Sequence, residues 1–223
     1  MILRMILQTG TWLVFTGAIV FFAAGRIDWR PGWDFLTIMG VSSFAVGFWL
    51  AKRDPGLLAK RLGPLVQKDQ TPADKIVLPV ALVLFYIWLV VMALDGGRFG
   101  WSRVPVWAQA LGALLMISTM VICARVFREN SFAAPVVKIQ VDQTVISTGP
   151  YAIVRHPMYA GALPLFVGGP LVMNSWWGLA FLPLAVLGFA ARIRIEERTL
   201  RGEFEGYAAY ARRVRYRLLP LVW

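Results

Sequence analysis

"PMYAGALPLFVGGPLVMNSWWGLAFLPLAVLGFAA", residues 157–191, runs for 35 positions without a charged side chain. As one helix it would rise roughly 50 Å at about 1.5 Å per residue, far beyond a ~30 Å hydrocarbon core. Gly168, Gly169, Pro170, Asn174 and Ser175 interrupt it midway, so the run is expected to fold as two helices joined by a tight turn. Four other uncharged runs, Met5–Gly25, Phe35–Ala51, Ile76–Leu94 and Val104–Ala124, are 17 to 21 residues long, and each suits one crossing. The expected fold is therefore an all-α integral membrane protein of about six transmembrane helices, the last two forming a C-terminal hairpin. Its composition, 58% apolar and 16% charged, excludes an ordinary soluble domain.

The lysines and arginines orient the spans, since they are retained on the cytoplasmic side. Six spans put 19 of the 23 on the side shared by the N-terminus, the second and fourth loops and the tail, and leave 4 on the other. Both termini are expected in the cytoplasm. The same bias, with anionic lipid headgroups as partners, accounts for the net charge of +11 without nucleic acid. The stretch Met1–Gly25 is too long for the apolar core of a signal peptide and lacks a clear cleavage site, so it counts as a span. One cysteine, Cys123, and one histidine, His156, exclude an intrachain disulfide and argue against a zinc site; no metal is expected.

The chain has no internal repeat and no flexible linker. It is treated as one structural unit with a four-helix scaffold at 1–125 and a chemistry-bearing portion at 126–223. Polar groups within the first four spans are of the kind that helix packing absorbs, and the loop "KRDPGLLAKRLGPLVQKDQTPADK" (52–75) is taken as a plain connection. After the fourth span, "VVKIQV" (136–141) and "TVIS" (144–147) flank Asp142 and Gln143, which suggests a short extended segment at the cytoplasmic face. Next comes "GPYAIVRHPMYAG" (149–161). Gly149 and Pro150 favour a sharp turn, and Pro157 suits the first position of the fifth helix, which places His156 at a helix N-terminus. The sixth helix continues past the apolar run into "ARIRIEERTLRGEFEGYAAYARRVRYRLLP" (191–220), where Arg192 and Glu196 share a face and Glu197, Leu200, Phe204, Tyr207 and Ala211 follow an adjoining stripe.

Each of these features has a plain explanation: a histidine as a cap, glutamates paired with arginines on a solvated face, tyrosines as an interfacial belt. Their convergence on one interface favours a site. Aromatic rings can cover a purine and face a cation, a glutamate can accept from an ammonium, and an arginine can hold a carboxylate. That combination suits S-adenosylmethionine.

The segment from Phe127 to Pro220, with "GPYAIVRHPMYAG", the apolar hairpin, "EERTL" (196–200), "FEGYAAYARRV" (204–214) and "LLP" in that order, resembles the isoprenylcysteine carboxyl methyltransferases and the related membrane phospholipid methyltransferases. The resemblance implies an S-adenosylmethionine site lined by Gln143, Thr144, Val145, Ile146, Tyr151, His156, Pro157, Met158 and Tyr159. It further implies that Lys138 contributes from the preceding segment, that Glu196 anchors the cofactor with support from Glu197, and that Arg192 faces the carboxylate of the methyl acceptor. The implied enzyme methylates a lipophilic, isoprenylcysteine-like acceptor. The residues leave other readings open: a phospholipid amine or small-thiol acceptor, a sterol-reductase-like NADPH enzyme, or a membrane subunit without catalysis.

Overall fold

The structure is a computed structural model that describes residues 1–68, 70–136 and 143–223, with the backbone alone at Glu203. In chain order it has α1 (Ile2–Ala24), α2 (Arg30–Arg53), a short α3 (Pro55–Arg61), α4 (Pro72–Met92) with a π-helical continuation (Ala93–Phe99), α5 (Val106–Glu129), α6 (Pro157–Val172), α7 (Leu182–Glu203) and a short α8 (Tyr207–Arg213). No strand occurs among the described residues. Residues 143–148 have no regular structure; the rest of the expected extended segment, residues 137–142, lies outside the described residues.

Local chemistry explains the boundaries. Proline occupies the first turn of α2, α3, α4, α6 and α7, where its missing N–H leaves no bond unmade. The Asp54 carboxylate accepts from Leu57 N–H and the Thr71 hydroxyl from Asp74 N–H, capping α3 and α4. Gly25, at φ 70°, ends α1 in the left-handed conformation.

Among the described residues, five helical segments are long and apolar enough to cross a membrane: Ile2–Ala24, Arg30–Arg53, Pro72–Phe99, Val106–Glu129 and Trp177–Gly202. The expected sixth is α6, and it is shorter, with 16 residues. The 35-residue run does break midway, but unequally: α6 ends at Val172, Asn174 takes a left-handed φ of 57°, Ser175 N–H returns to Pro170 O, and a 3₁₀ turn (Trp177–Phe181) precedes α7. Met173 N–H still reaches back to Gly169 O, and the left-handed Asn174 then turns the chain out of the helix.

Phe35, Trp88, Leu89, Met92, Met116 and Met173 fill the centre of the bundle, while Phe22, Val106 and Val14 are 86%, 80% and 74% exposed. Helices apolar on both faces are what a lipid solvent permits. Within this bundle α5 and α6 touch backbone to backbone. A Cβ on Gly112 would lie 2.7 Å from Gly168 O, and one on Gly168 would lie 2.5 Å from Gly112 O. Only glycine allows that approach.

The two ends of the bundle are built differently. At one, Asp95 on the π-helical turn is fully buried and accepts from Ser102 Oγ and Ser175 Oγ, both at 2.6 Å. Beside it Asn174 Oδ1 accepts from Val104 N–H and Trp88 Nε1 donates to Gly178 O, so the hairpin turn is tied to the loop before α5. At the opposite end Arg4 donates to Leu62 O, Lys60 to Ser131 O and Arg61 to Ala133 O. These bonds bring α1 and α3 against the segment that follows α5, and the functional cluster lies at this end.

Candidate functional site

The approach to α6 fixes the site. Gly149, at φ 54°, opens a 3₁₀ turn that carries Tyr151. The chain then runs extended beside the tail: Arg155 N–H donates to Tyr216 O and His156 N–H to Arg217 O, both at 2.9 Å. Helix α6 starts at Pro157, as its proline foretold. His156 occupies the N-cap position but makes no side-chain cap bond. Its ring stands between two glutamates of α7, with Nδ1 3.7 Å from Glu196 Oε2 and Nε2 3.4 Å from Glu197 Oε1. A neutral imidazole can donate at one of these nitrogens only.

The two adjacent glutamates face different surroundings, because one step along a helix turns a side chain by about 100°. Glu197 points into the protein and is 4% exposed. It accepts from Arg155 Nε at 2.7 Å and Arg217 Nε at 3.1 Å. Arg155 also donates to Val214 O and Arg215 O, so a buried arginine clamps the start of α6 to the tail. Glu196 turns outward to a cavity and accepts from Tyr159 OH at 3.2 Å.

That cavity has about 960 Å³ of unfilled space, the open solvent at its mouth included. Gln143, Thr144, Val145, Ile146, Tyr151, His156, Pro157, Met158, Tyr159, Arg192 and Glu196 all border it. Of the other two residues implied by the family resemblance, Lys138 lies outside the described residues. Glu197 does not border the cavity; it stands behind His156 and holds the wall in place.

Several wall residues lie beyond those implied by the family resemblance; Tyr207 and Tyr210 counted only among the converging interfacial tyrosines. Asn130 Nδ2 donates to Tyr151 OH at 2.7 Å, and Tyr210 OH donates to Tyr151 O at 2.8 Å. Tyr207 lines the cavity with its hydroxyl buried and without a partner among the described residues. Burial pushes the phenols of Tyr151, Tyr207 and Tyr210 up, the last to about 12, so all three remain donors through neutral pH. Arg155 was passed over because RHP reads locally as a basic step before a helix. Only the fold brings Glu197 to it.

The largest departure concerns Arg192. It shares the cavity wall with Glu196 but does not pair with it. Its Nε lies 3.1 Å from Asp74 Oδ1 and its Nη2 3.5 Å from Asp74 Oδ2, and Nη2 also donates to Pro135 O. Asp74, fully buried in the first turn of α4, also accepts from Gln70 Nε2 at 2.7 Å. Gln70 and Asp74 belong to the loop and helix start taken as a plain connection. No group of three or more histidine, cysteine, aspartate or glutamate side chains suited to a metal occurs among the described residues.

Residues 107–206 match the family model for phospholipid methyltransferases. Over 73 residues the chain is 38% identical to the cobalt-zinc-cadmium resistance protein CzcN of Cupriavidus metallidurans, a match covering 32% of this chain and 34% of that protein; it thus spans about a third of that relative's length. The solved structure of the eukaryotic intramembrane Ras methyltransferase ICMT, an isoprenylcysteine carboxyl methyltransferase, superimposes with a TM-score of 0.54 at 18% identity, covering 92% of this chain and 73% of that one. The fold is shared with that enzyme, and the resemblance drawn from the RHP and EERTL segments is borne out.

Proposed function

We propose, with the phospholipid methyltransferase match at residues 107–206 as premise, that the protein is an integral membrane methyltransferase using S-adenosylmethionine, and that it methylates the carboxylate of a lipophilic, isoprenylcysteine-like acceptor. The observation that carries the reading is the placement of Glu196, His156, Tyr159 and Arg192 on one cavity wall.

The donor set fits the cofactor. Glu196, with a side chain 31% exposed, offers a carboxylate to an ammonium. Tyr151, Tyr159 and Tyr207 offer ring faces to a purine or a sulfonium, and the unpartnered Tyr207 hydroxyl offers a donor. When bound, S-adenosylmethionine supplies a methyl group activated by positive sulfur. The chain's own part is placement: holding both reactants in line can account for roughly 7–11 kcal/mol of the barrier. A carboxylate acceptor is ionised at neutral pH and needs no general base. Arg192 borders the cavity while its inner edge meets Asp74 and Pro135, which makes it the cation placed to hold that carboxylate.

A second acceptor class, an amine or thiol, draws support from that same Asp74 contact, which weakens the pull of Arg192 on an anion. A nicotinamide dinucleotide fits less well, because Arg155, the other arginine on the wall, is occupied by Glu197 and few contacts remain for two phosphates. The basic end of the bundle, with the cavity and both termini, is assigned to the cytoplasm on the lysine and arginine distribution.

Calorimetric titration of detergent-purified protein with S-adenosylmethionine and with NADPH tests the reading. Binding of the first and not the second is expected, followed by transfer of labelled methyl to a prenylated thioether carboxylate. Binding of NADPH alone would defeat it.

A further inference from the structure

We infer that Asp74 determines which acceptors the site takes, by offsetting the charge of Arg192 and so lowering the site's preference for anions. The inference rests on the methyltransferase reading and adds to it a residue from outside the segment that matches the family, since Asp74 lies before residue 107.

The geometry is specific. Asp74 meets Arg192 along the Nε edge, with contacts of 3.1 and 3.5 Å, and Arg192 itself borders the cavity. The carboxylate has no solvent exposure, and the guanidinium side chain is 14% exposed, so little water screens one from the other. A ligand at Arg192 therefore feels a cation with an anion close behind it. Gln70 Nε2 holds Asp74 Oδ2 at 2.7 Å and is itself buried, which fixes the carboxylate against Arg192. Among the described residues, Pro135 O also accepts from the guanidinium and the Tyr159 ring lies 6.0 Å away, both uncharged. Glu196 stands one helical turn along the same wall and is engaged by Tyr159 and His156.

Two features separate this from a bond that only fastens α4 to α7. Arg192 lines the cavity, so its charge reaches whatever binds there. Asp74 does not line it, so any effect on ligands must pass through Arg192. Asp74 is thus a positioning residue and not a catalytic one.

The test uses the full-length protein in detergent, saturated with S-adenosylhomocysteine to prevent turnover. Two probes of equal chain length are titrated, an S-prenyl thioether carboxylate and the matching thioether amine. In Asp74→Asn, which keeps the shape and removes the charge, the ratio of carboxylate to amine affinity is expected to rise at least tenfold, while S-adenosylhomocysteine affinity changes less than about twofold. An unchanged ratio, or an equal loss for both probes, overturns the inference. Should Asp74→Asn fold poorly, the double variant Asp74→Asn/Arg192→Gln removes both charges, and in it the preference for the carboxylate is expected to disappear. Its persistence would equally overturn the inference. Failure of the unsubstituted protein to bind S-adenosylhomocysteine would sink the methyltransferase reading itself, whereas normal binding with an unmoved ratio sinks only the role of Asp74.

Discussion

Glu197 Oε1 and Arg155 Nε meet at 2.7 Å with side chains 6% and 3% exposed, and this pair, rather than any direct contact with a ligand, makes Glu197 important. Removing one partner strands the other charge in the interior, which typically costs about 3–5 kcal/mol. Glu197→Gln and Arg155→Met should therefore lower the unfolding midpoint in detergent markedly. A normal midpoint in both would mean that the clamp contributes nothing.

Glu196→Gln should behave differently. Its side chain borders the cavity and supports no buried cation, so the unfolding midpoint should stay close to that of the unsubstituted protein. Cofactor affinity should fall by about 2–5 kcal/mol for a desolvated charge pair, toward the lower end because the group is partly open to water. His156→Ala should also weaken binding. Retained affinity in both variants would refute the cofactor assignment.

Arg192→Ala should spare cofactor affinity and abolish methyl transfer to a carboxylate acceptor. Arg192→Lys should recover only part, because an ammonium cannot hold Asp74 along one edge and a ligand along another. Full activity in Arg192→Ala would defeat the carboxylate reading while leaving the broader methyltransferase proposal in place.

At the opposite end of the bundle, Asp95→Ala removes the acceptor of two hydroxyl bonds at 2.6 Å. A loss of about 3 kcal/mol is expected, as each such bond to a carboxylate is worth about 1.5–3 kcal/mol. Cofactor affinity below the unfolding range should be untouched, because none of these groups borders the cavity. A fall in affinity without a fall in midpoint would contradict this separation.

Orientation can be checked by labelling. Cysteines placed at Ile27, which is 70% exposed, and at the exposed Arg212, in a Cys123→Ala background, should react from opposite sides of a sealed vesicle. Reaction of both from one side would mean that a crossing has been miscounted.

Much of this was legible in the sequence because membrane spans and turns are local signals. The broken run at 157–191, the proline starting α6 and the turn at Gly149 each depend on a few consecutive residues. Half of the cavity residues were reached through the resemblance that the RHP and EERTL segments carry, whose order along the chain is specific. Asp74 was not reached: nothing near "TPADK" distinguishes an aspartate that caps a helix start from one that meets an arginine 118 positions later. Glu197 was placed on a stripe adjoining that of Glu196, and the resemblance gave it a supporting role at the cofactor; its meeting with Arg155, 42 positions away, left no local signal. The shortness of α6 was missed for a related reason, since counting uncharged residues does not reveal where the left-handed Asn174 ends the ladder.

That shortness has a consequence for the surrounding lipid. Sixteen residues rise about 24 Å, some 6 Å less than a ~30 Å hydrocarbon core. A crossing this short can be accommodated by local thinning of the leaflets around it. Such thinning would draw the ester and headgroup layer down toward His156, at the start of α6. An amphiphile lying in that layer would then have its polar end at the level of the cavity, with its chain still among the acyl tails.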